Sequence, residues 1–272
     1  MVFKNENDPS QLFLFDLESG KIVQEIKTGK EKINFAQINN DLKNGQKSAS
    51  RTLIGCESQG LHTIDPRLGD NALAVSKTYK TNPLFNTITP GLNGAFVVGS
   101  ANGDLRMYKQ MGQIAKSLLP GLGEPIKAID VSQDQKWMLV TCQTYLLVMQ
   151  TENDEGVSGF EKSISKTKPE PFRLTIDPKD IVKNQITHVN FTPAKFNNGD
   201  SIHETSIVTS TGRFLVTWNF DKVKKGHLRG GYKLKVLPSR AVDGQFQYNH
   251  EDKVLVTLPQ AVTVESRIKA KK

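Results

Sequence analysis

Cysteine is nearly absent from the 272 residues: Cys56 and Cys142 are the only two. A disulfide scaffold and a cysteine-rich zinc site are both excluded. Long apolar runs are missing too. The longest covers about five residues, Tyr145-Leu-Leu-Val-Met149, whereas a membrane-spanning helix needs about 20. No signal peptide is legible at the N-terminus, and the expectation is a soluble intracellular protein. Hydrophobic residues make up only 37% and aromatics 7%. That argues against a thick core of long helices with broad apolar faces. Thin sheets joined by many turns fit better, with 21 Gly and 12 Pro to make the turns.

Catalytic and cofactor motifs are missing as well. There is no Gly-x-x-x-x-Gly-Lys-Ser/Thr phosphate loop and no Gly-x-Ser-x-Gly elbow. Gly121-Leu-Gly-Glu-Pro-Ile lacks the third glycine of a dinucleotide fingerprint and reads as a turn. The five histidines, His62, His188, His203, His227 and His250, never pair with each other or with a Cys at ligand spacing. His188 reads as a packed or edge residue on a strand face with Ile186 and Asn190. Cys56 and Cys142 read as small core residues. Asp130 and Asp134, at and just past a strand end, read as turn caps rather than as paired catalytic acids. Asn190-Phe-Thr is a formal glycosylation sequon that a cytoplasmic chain would not use. No catalytic residue, cofactor or metal is expected.

Charge is present but uneven. The formal net charge is +8, and from position 221 to 272 there are twelve Lys and Arg against five Asp and Glu. The first 220 residues carry 24 against 23. The densest part is Lys222, Lys224, Lys225, Arg229, Lys233 and Lys235, the candidate partner-binding residues. Such a cluster attracts phosphate, anionic lipid or acidic protein. The plain alternative is a solvated rim plus a basic tail, Arg267-Ile-Lys-Ala-Lys-Lys. Only Tyr232 sits among the lysines, so stacking on nucleic-acid bases has little support.

What the chain does have is a repeat. Segments 52–65, 95–108, 137–149, 206–218 and 253–265 each read as strand, small polar turn, strand. Residues 1–5 and 11–16 read as a further copy with a longer turn. Strands precede the complete hairpins at 33–36, 85–88, 126–131, 186–191 and 244–248. Fourth strands follow at 21–26, 72–75 and 113–118. The gaps of about 40–60 residues match four-stranded propeller blades with insertions. Gly55, Gly99, Ser100, Thr141 and Ser210 suit places where strands crowd together. Thr151 to Arg173 reads as a solvated loop, Asn39 to Ser50 as another, and Asp177-Pro178 as the cap and first residue of a short helix. The innermost strands carry Asn34, Thr87, Asp130, Asn190 and Gln247, poor material for a catalytic centre.

Several motifs carry a resemblance. They are Phe191-Thr-Pro-Ala-Lys-Phe-Asn-Asn-Gly, Glu204-Thr-Ser-Ile-Val-Thr-Ser-Thr-Gly with Trp218, the stretch Gln11-Leu-Phe-Leu-Phe-Asp-Leu-Glu-Ser-Gly-Lys-Ile-Val, Ile64-Asp-Pro-Arg-Leu, Gly103-Asp-Leu-Arg, Thr141-Cys-Gln-Thr-Tyr-Leu-Leu and Gly159-Phe-Glu-Lys-Ser. Together they resemble the C-terminal domain of the vacuolar import and degradation protein twenty-seven family, whose plant relatives are called defective embryo and meristems. The resemblance implies a WD40-like β-propeller, a cytoplasmic eukaryotic protein and a link to vacuolar import and degradation. It carries over no functional residues. Family members also have upstream sequence with a pleckstrin-homology-like region. The paired-arginine motif of lipid-binding autophagy propellers, Phe-Arg-Arg-Gly, is absent.

The expectation is therefore an all-β, WD40-like propeller forming a single domain over residues 1–272. It has about six four-stranded blades, some partial, and about seven in the intact domain. The first blade is expected to lack its innermost strand and the last its outermost, so the chain is a fragment or is completed by another polypeptide. Leu12-Phe-Leu-Phe15 is apolar on both faces, as a blade with two neighbours requires. The expected role is a non-catalytic cytoplasmic scaffold binding other proteins. Two alternatives are a surface at 222–240 for anionic membrane or nucleic acid, and a hydrolase with a site in the propeller channel.

Overall fold

The computed structural model describes residues 2–4, 7, 8, 10–27, 33, 35–38, 52–69, 72–198, 203–247, 250 and 253–266. The loop predicted at 39–50, Asn34 and the basic tail lie outside them. Two compact units divide the chain: Met1–Ile126 with Asn153–Lys168, and Lys127–Glu152 with Pro169–Lys272.

The first unit holds three antiparallel sheets, each a simple meander. Strands β1 (Val2–Lys4), β2 (Gln11–Asp16) and β3 (Lys21–Lys27) form the first. Strands β4 (Phe35–Ile38), β5 (Leu53–Glu57), β6 (Gly60–Ile64) and β7 (Leu73–Thr78) form the second. Strands β8 (Phe85–Pro90), β9 (Phe96–Ser100), β10 (Leu105–Tyr108) and β11 (Ser117–Leu119) form the third. First strands of successive sheets lie side by side, β1 by β4 and β4 by β8. A sheet covered on both faces loses the alternation of buried and exposed residues, and β9 is buried at all five positions. Crowding is real at Gly99, where a Cβ would lie 2.7 Å from Ile126 Cγ2 and 2.9 Å from Thr87 Cγ2. Gly121 answers Gly103, because any side chain at 121 would collide with the Gly103 carbonyl oxygen. In β2, Leu12 is buried while Phe13, Leu14 and Phe15 are half-buried. Phe3, 41% exposed, meets Phe15 edge-on at 5.4 Å.

Residues 153–168 differ from the solvated loop predicted there. Phe160 and Ile164 are buried. The buried Ser117 Oγ on β11 hydrogen-bonds the carbonyls of Gly159 (2.8 Å) and Lys162 (3.1 Å) and accepts from Ile164 N–H (3.1 Å). Two apolar side chains among many polar ones, plus one hydroxyl, are enough to fasten the segment.

The second unit holds three more meanders. The first is β12 (Ala128–Val131), β13 (Trp137–Thr141), β14 (Leu146–Gln150) and β15 (Phe172–Leu174). Helix α1 (Pro178–Lys183) follows, with Asp177 Oδ1 accepting from Lys179 N–H and Pro178 in the first turn, as the sequence predicts. The next sheet is β16 (Lys195–Phe196), β17 (Ser206–Thr211), β18 (Phe214–Asn219) and β19 (Tyr232–Val236), with helix α2 (Phe220–Lys224) between its last two strands. The last is β20 (Asp243–Phe246), β21 (Lys253–Leu258) and β22 (Ala261–Ser266). Trp218 is fully buried, with Phe191 at 6.0 Å and Tyr232 at 5.6 Å between ring centroids.

The strand predicted at 186–191 is not one; its place is taken by β16. Pro193 has no N–H to give a continuous ladder. The surrounding donors turn to the β12–β15 sheet: Phe191 N–H to Gln143 O, Ala194 N–H to Thr141 Oγ1 and Phe196 N–H to Asp130 Oδ2, each at 2.9 Å.

Replacing Ser117 with Ala should destabilise the chain by about 1–3 kcal/mol, because it leaves the buried Ile164 N–H without its acceptor and removes the one O–H shared by the Gly159 and Lys162 carbonyls. Thermal melting should show the loss, and limited proteolysis should cut first within residues 153–168. An unchanged cleavage pattern would mean that Phe160 and Ile164 hold the segment without the hydroxyl.

Candidate interaction surface

The candidate residues fall on three successive pieces of one sheet's outer edge. Strand β18 ends at Asn219, whose Oδ1 accepts from Lys222 N–H at 2.9 Å and so caps α2. Phe220 and Val223 are buried, which turns Lys222, Lys224 and Lys225 to solvent. Lys224 is occupied: its Nζ lies 2.8 Å from Asp221 Oδ1 and 4.6 Å from the Phe220 ring centre. Lys222 and Lys225 have no carboxylate partner among the described residues. Arg229 stands exposed on the connection into β19.

On β19, Tyr232 and Leu234 turn to the core and Lys233 and Lys235 to the other face. Lys235 Nζ pairs with Glu265 Oε2 of β22 at 2.6 Å. The structure thus leaves Lys222, Lys225 and Arg229 as exposed cations on α2 and the connection that follows it, while Lys224 and Lys235 are engaged within the fold.

Beside Arg229 lies a cavity of about 460 Å³ between the outer strands β15 and β19. Its walls include Arg173, Thr175, Asp177, Arg229, Gly230 and Tyr232. The Arg173 guanidinium lies 4.6 Å from the centre of the Tyr145 ring. The Tyr232 hydroxyl donates to Asp180 Oδ2 at 2.6 Å and accepts from Asp177 N–H at 2.7 Å, tying α1 to β19. Burial first, and then the hydrogen bond to the Asp180 carboxylate, push the phenol up to about 12. Arg173 and Tyr232 escaped sequence reasoning. Arg173 follows the proline-rich end of an insertion, and Tyr232 looked like a lone aromatic among lysines; only the Asp177-Pro178 helix start pointed to this place.

Asp134, His62 and Asp65 are held by structural partners. Asp134 Oδ1 accepts from Ser132 Oγ and Lys136 N–H, closing a turn. His62 is buried, its Nδ1 2.8 Å from Ser76 Oγ. His188 is exposed on the wall of a second cavity that includes Arg213. Cys56 and Cys142 are buried and form no disulfide. In the Ile64-Asp-Pro-Arg-Leu motif, Asp65 accepts from the Arg67 side chain and backbone N–H. The guanidinium hydrogen bonds, foremost, hold this carboxyl down to about 2. Among the described residues no three His, Cys, Asp or Glu side chains gather as a metal site, and no helix is long and apolar enough to cross a membrane.

Successive antiparallel meanders of three or four strands, first strand beside first strand, are the blades of a β-propeller. The crystal structure of the Myceliophteria thermophila Cps50 (Swd1) β-propeller domain is similar, with a TM-score of 0.62, 12% identity and coverage of 96% of this chain and 77% of that one. The chain belongs to the family of the VID27 C-terminal WD40-like domain, which it matches over residues 1–272. It is 36% identical over 274 residues to vacuolar import and degradation protein 27 of Schizosaccharomyces pombe, covering 97% of this chain and 34% of that protein. To the Saccharomyces cerevisiae protein of the same name it is 32% identical over 283 residues, covering 99% and 36%. The chain therefore spans about a third of the length of these relatives.

Changing Tyr232 to Phe should cost about 1–2 kcal/mol, since Asp177 N–H and Asp180 each lose a partner. The pH dependence has a definite sign. The folded phenol titrates above its ordinary value of 10, so its contribution is complete below pH 10 and is lost as pH rises toward 12. Chemical denaturation across that window should show a steeper fall in stability than in the Y232F chain, which keeps the raised phenols of Tyr79 and Tyr108.

Proposed function

We propose that this chain is a non-catalytic interaction scaffold of the cytoplasm, serving vacuolar import and protein degradation. It binds other proteins through the surface that holds Lys222, Lys224, Lys225, Arg229, Lys233 and Lys235. The observation carrying this reading is the exposure of Lys222, Lys225 and Arg229 on a short capped helix and its following loop, mounted on a rigid sheet. Loops carried by a stiff scaffold are where binding residues gather. The names of the relatives support the pathway, and the absence of a catalytic motif in the sequence supports a binding role rather than chemistry.

The test is affinity purification from cells, comparing the chain with its K222A/K224A/K225A variant. The variant should keep its melting temperature within a few degrees, as exposed side chains change stability little. It should lose acidic co-purifying proteins, and the difference should shrink at high salt. Identical sets of partners from both chains would refute the reading, as would retention on RNA or anionic vesicles in place of protein.

A further inference from the structure

We infer that the cavity between β15 and β19 is a receptor for an acidic side chain, carboxylate or phosphoryl, presented by an extended peptide of a partner protein, with Arg173 and Arg229 as its anion ligands. This rests on the reading of the chain as an interaction scaffold and names the chemistry of what it binds.

Three observations converge. Both arginines line the cavity, and neither has a carboxylate partner among the described residues. The acids that could neutralise them are engaged: Asp177 Oδ1 caps α1 and Asp180 Oδ2 accepts from the Tyr232 hydroxyl. Arg173 is also prepared for a ligand. Its guanidinium lies over the Tyr145 ring at 4.6 Å, and a guanidinium held in this way has N–H donors that can grip an oxyanion in bidentate fashion.

The shape favours a peptide as the bearer of that anion. About 460 Å³ accommodates one or two side chains. Strand β15 bounds the cavity and, among the described residues, is paired with β14 alone, so its other edge can take an extended backbone. A flat anionic membrane would instead suit the solvent-facing lysines of α2.

Fluorescence anisotropy on the full 272-residue chain tests the assignment. The probes are a fluorescein-labelled hexaglutamate peptide, a phosphoserine peptide of equal length and a hexaglutamine control. At low salt the glutamate or phosphoserine peptide should bind, the tighter one naming the preferred oxyanion, and the control should not. R173Q/R229Q should weaken binding about tenfold or more, while K222Q/K225Q should weaken it less than about threefold. R173K/R229K keeps the charge but removes the planar fork, and it too should lose about tenfold with an unchanged melting temperature. Equal binding by the native chain and R173Q/R229Q overturns the cavity. If K222Q/K225Q alone abolishes binding, the cavity fails and the basic scaffold stands. If neither peptide binds but phosphatidylserine vesicles do, the peptide assignment falls.

Discussion

Burial of both faces of the middle strands, such as β9 and β17, is the constraint on which this structure depends. A sheet with covered faces has no solvent side on which to place polar residues. Strand β17 shows the consequence: all six of its residues are buried, and four of them are Ser or Thr. Each hydroxyl taken from water needs an internal acceptor or donor. Thr209 Oγ1 donates to Thr192 O at 2.6 Å, Ser210 Oγ meets Thr192 Oγ1 at 2.9 Å, and Thr211 Oγ1 accepts from Asn190 N–H at 2.9 Å. The segment before β16 therefore serves as a hydrogen-bonding partner of β17 as well as a connection. That demand, together with Pro193, explains why it departs from a regular ladder.

This bears on what the sequence can disclose. Hairpins were legible because β-branched runs flank small polar turns, and every predicted hairpin appears, from β5–β6 to β21–β22. The outer strands β15 and β19 were not legible. An outer strand packs one face and presents the other to water, and a run such as Tyr232-Lys-Leu-Lys-Val reads as a basic surface as easily as a strand. The ordered segment around Phe160 was hidden for a related reason. Its anchor is Ser117, more than forty positions away, and no local pattern announces a partner at that separation. Of the candidate site, the cations were visible and their division of labour was not.

That division follows from edges. An outer strand leaves backbone groups unpaired and invites association with any other strand. Charged side chains discourage it, and Lys233 and Lys235 stand where such protection is needed. Lys235 is further committed to Glu265 at 2.6 Å, 17% exposed, an ion pair that joins the last two sheets of the second unit. A lysine that guards an edge or staples two sheets has less of its charge to offer a partner than an unpaired one on the same surface. Lys222, Lys225 and Arg229, and Arg173 across the cavity from Arg229, have no carboxylate partner among the described residues.

The basic character of this region is thus a product of folding as much as of composition. Asp177, Asp180 and Asp221 lie within it, enough in principle to balance three cations. The fold engages all three elsewhere. Asp177 caps α1, Asp180 holds Tyr232, and Asp221 pairs with Lys224 within α2. A carboxylate fixed by short hydrogen bonds to backbone or phenol cannot swing to neutralise a guanidinium without giving them up. The arginines at the cavity therefore stay without a carboxylate partner among the described residues. Their charge is available because the nearest acids are committed to structure, which is the condition under which a surface cation becomes a binding group rather than half of an ion pair.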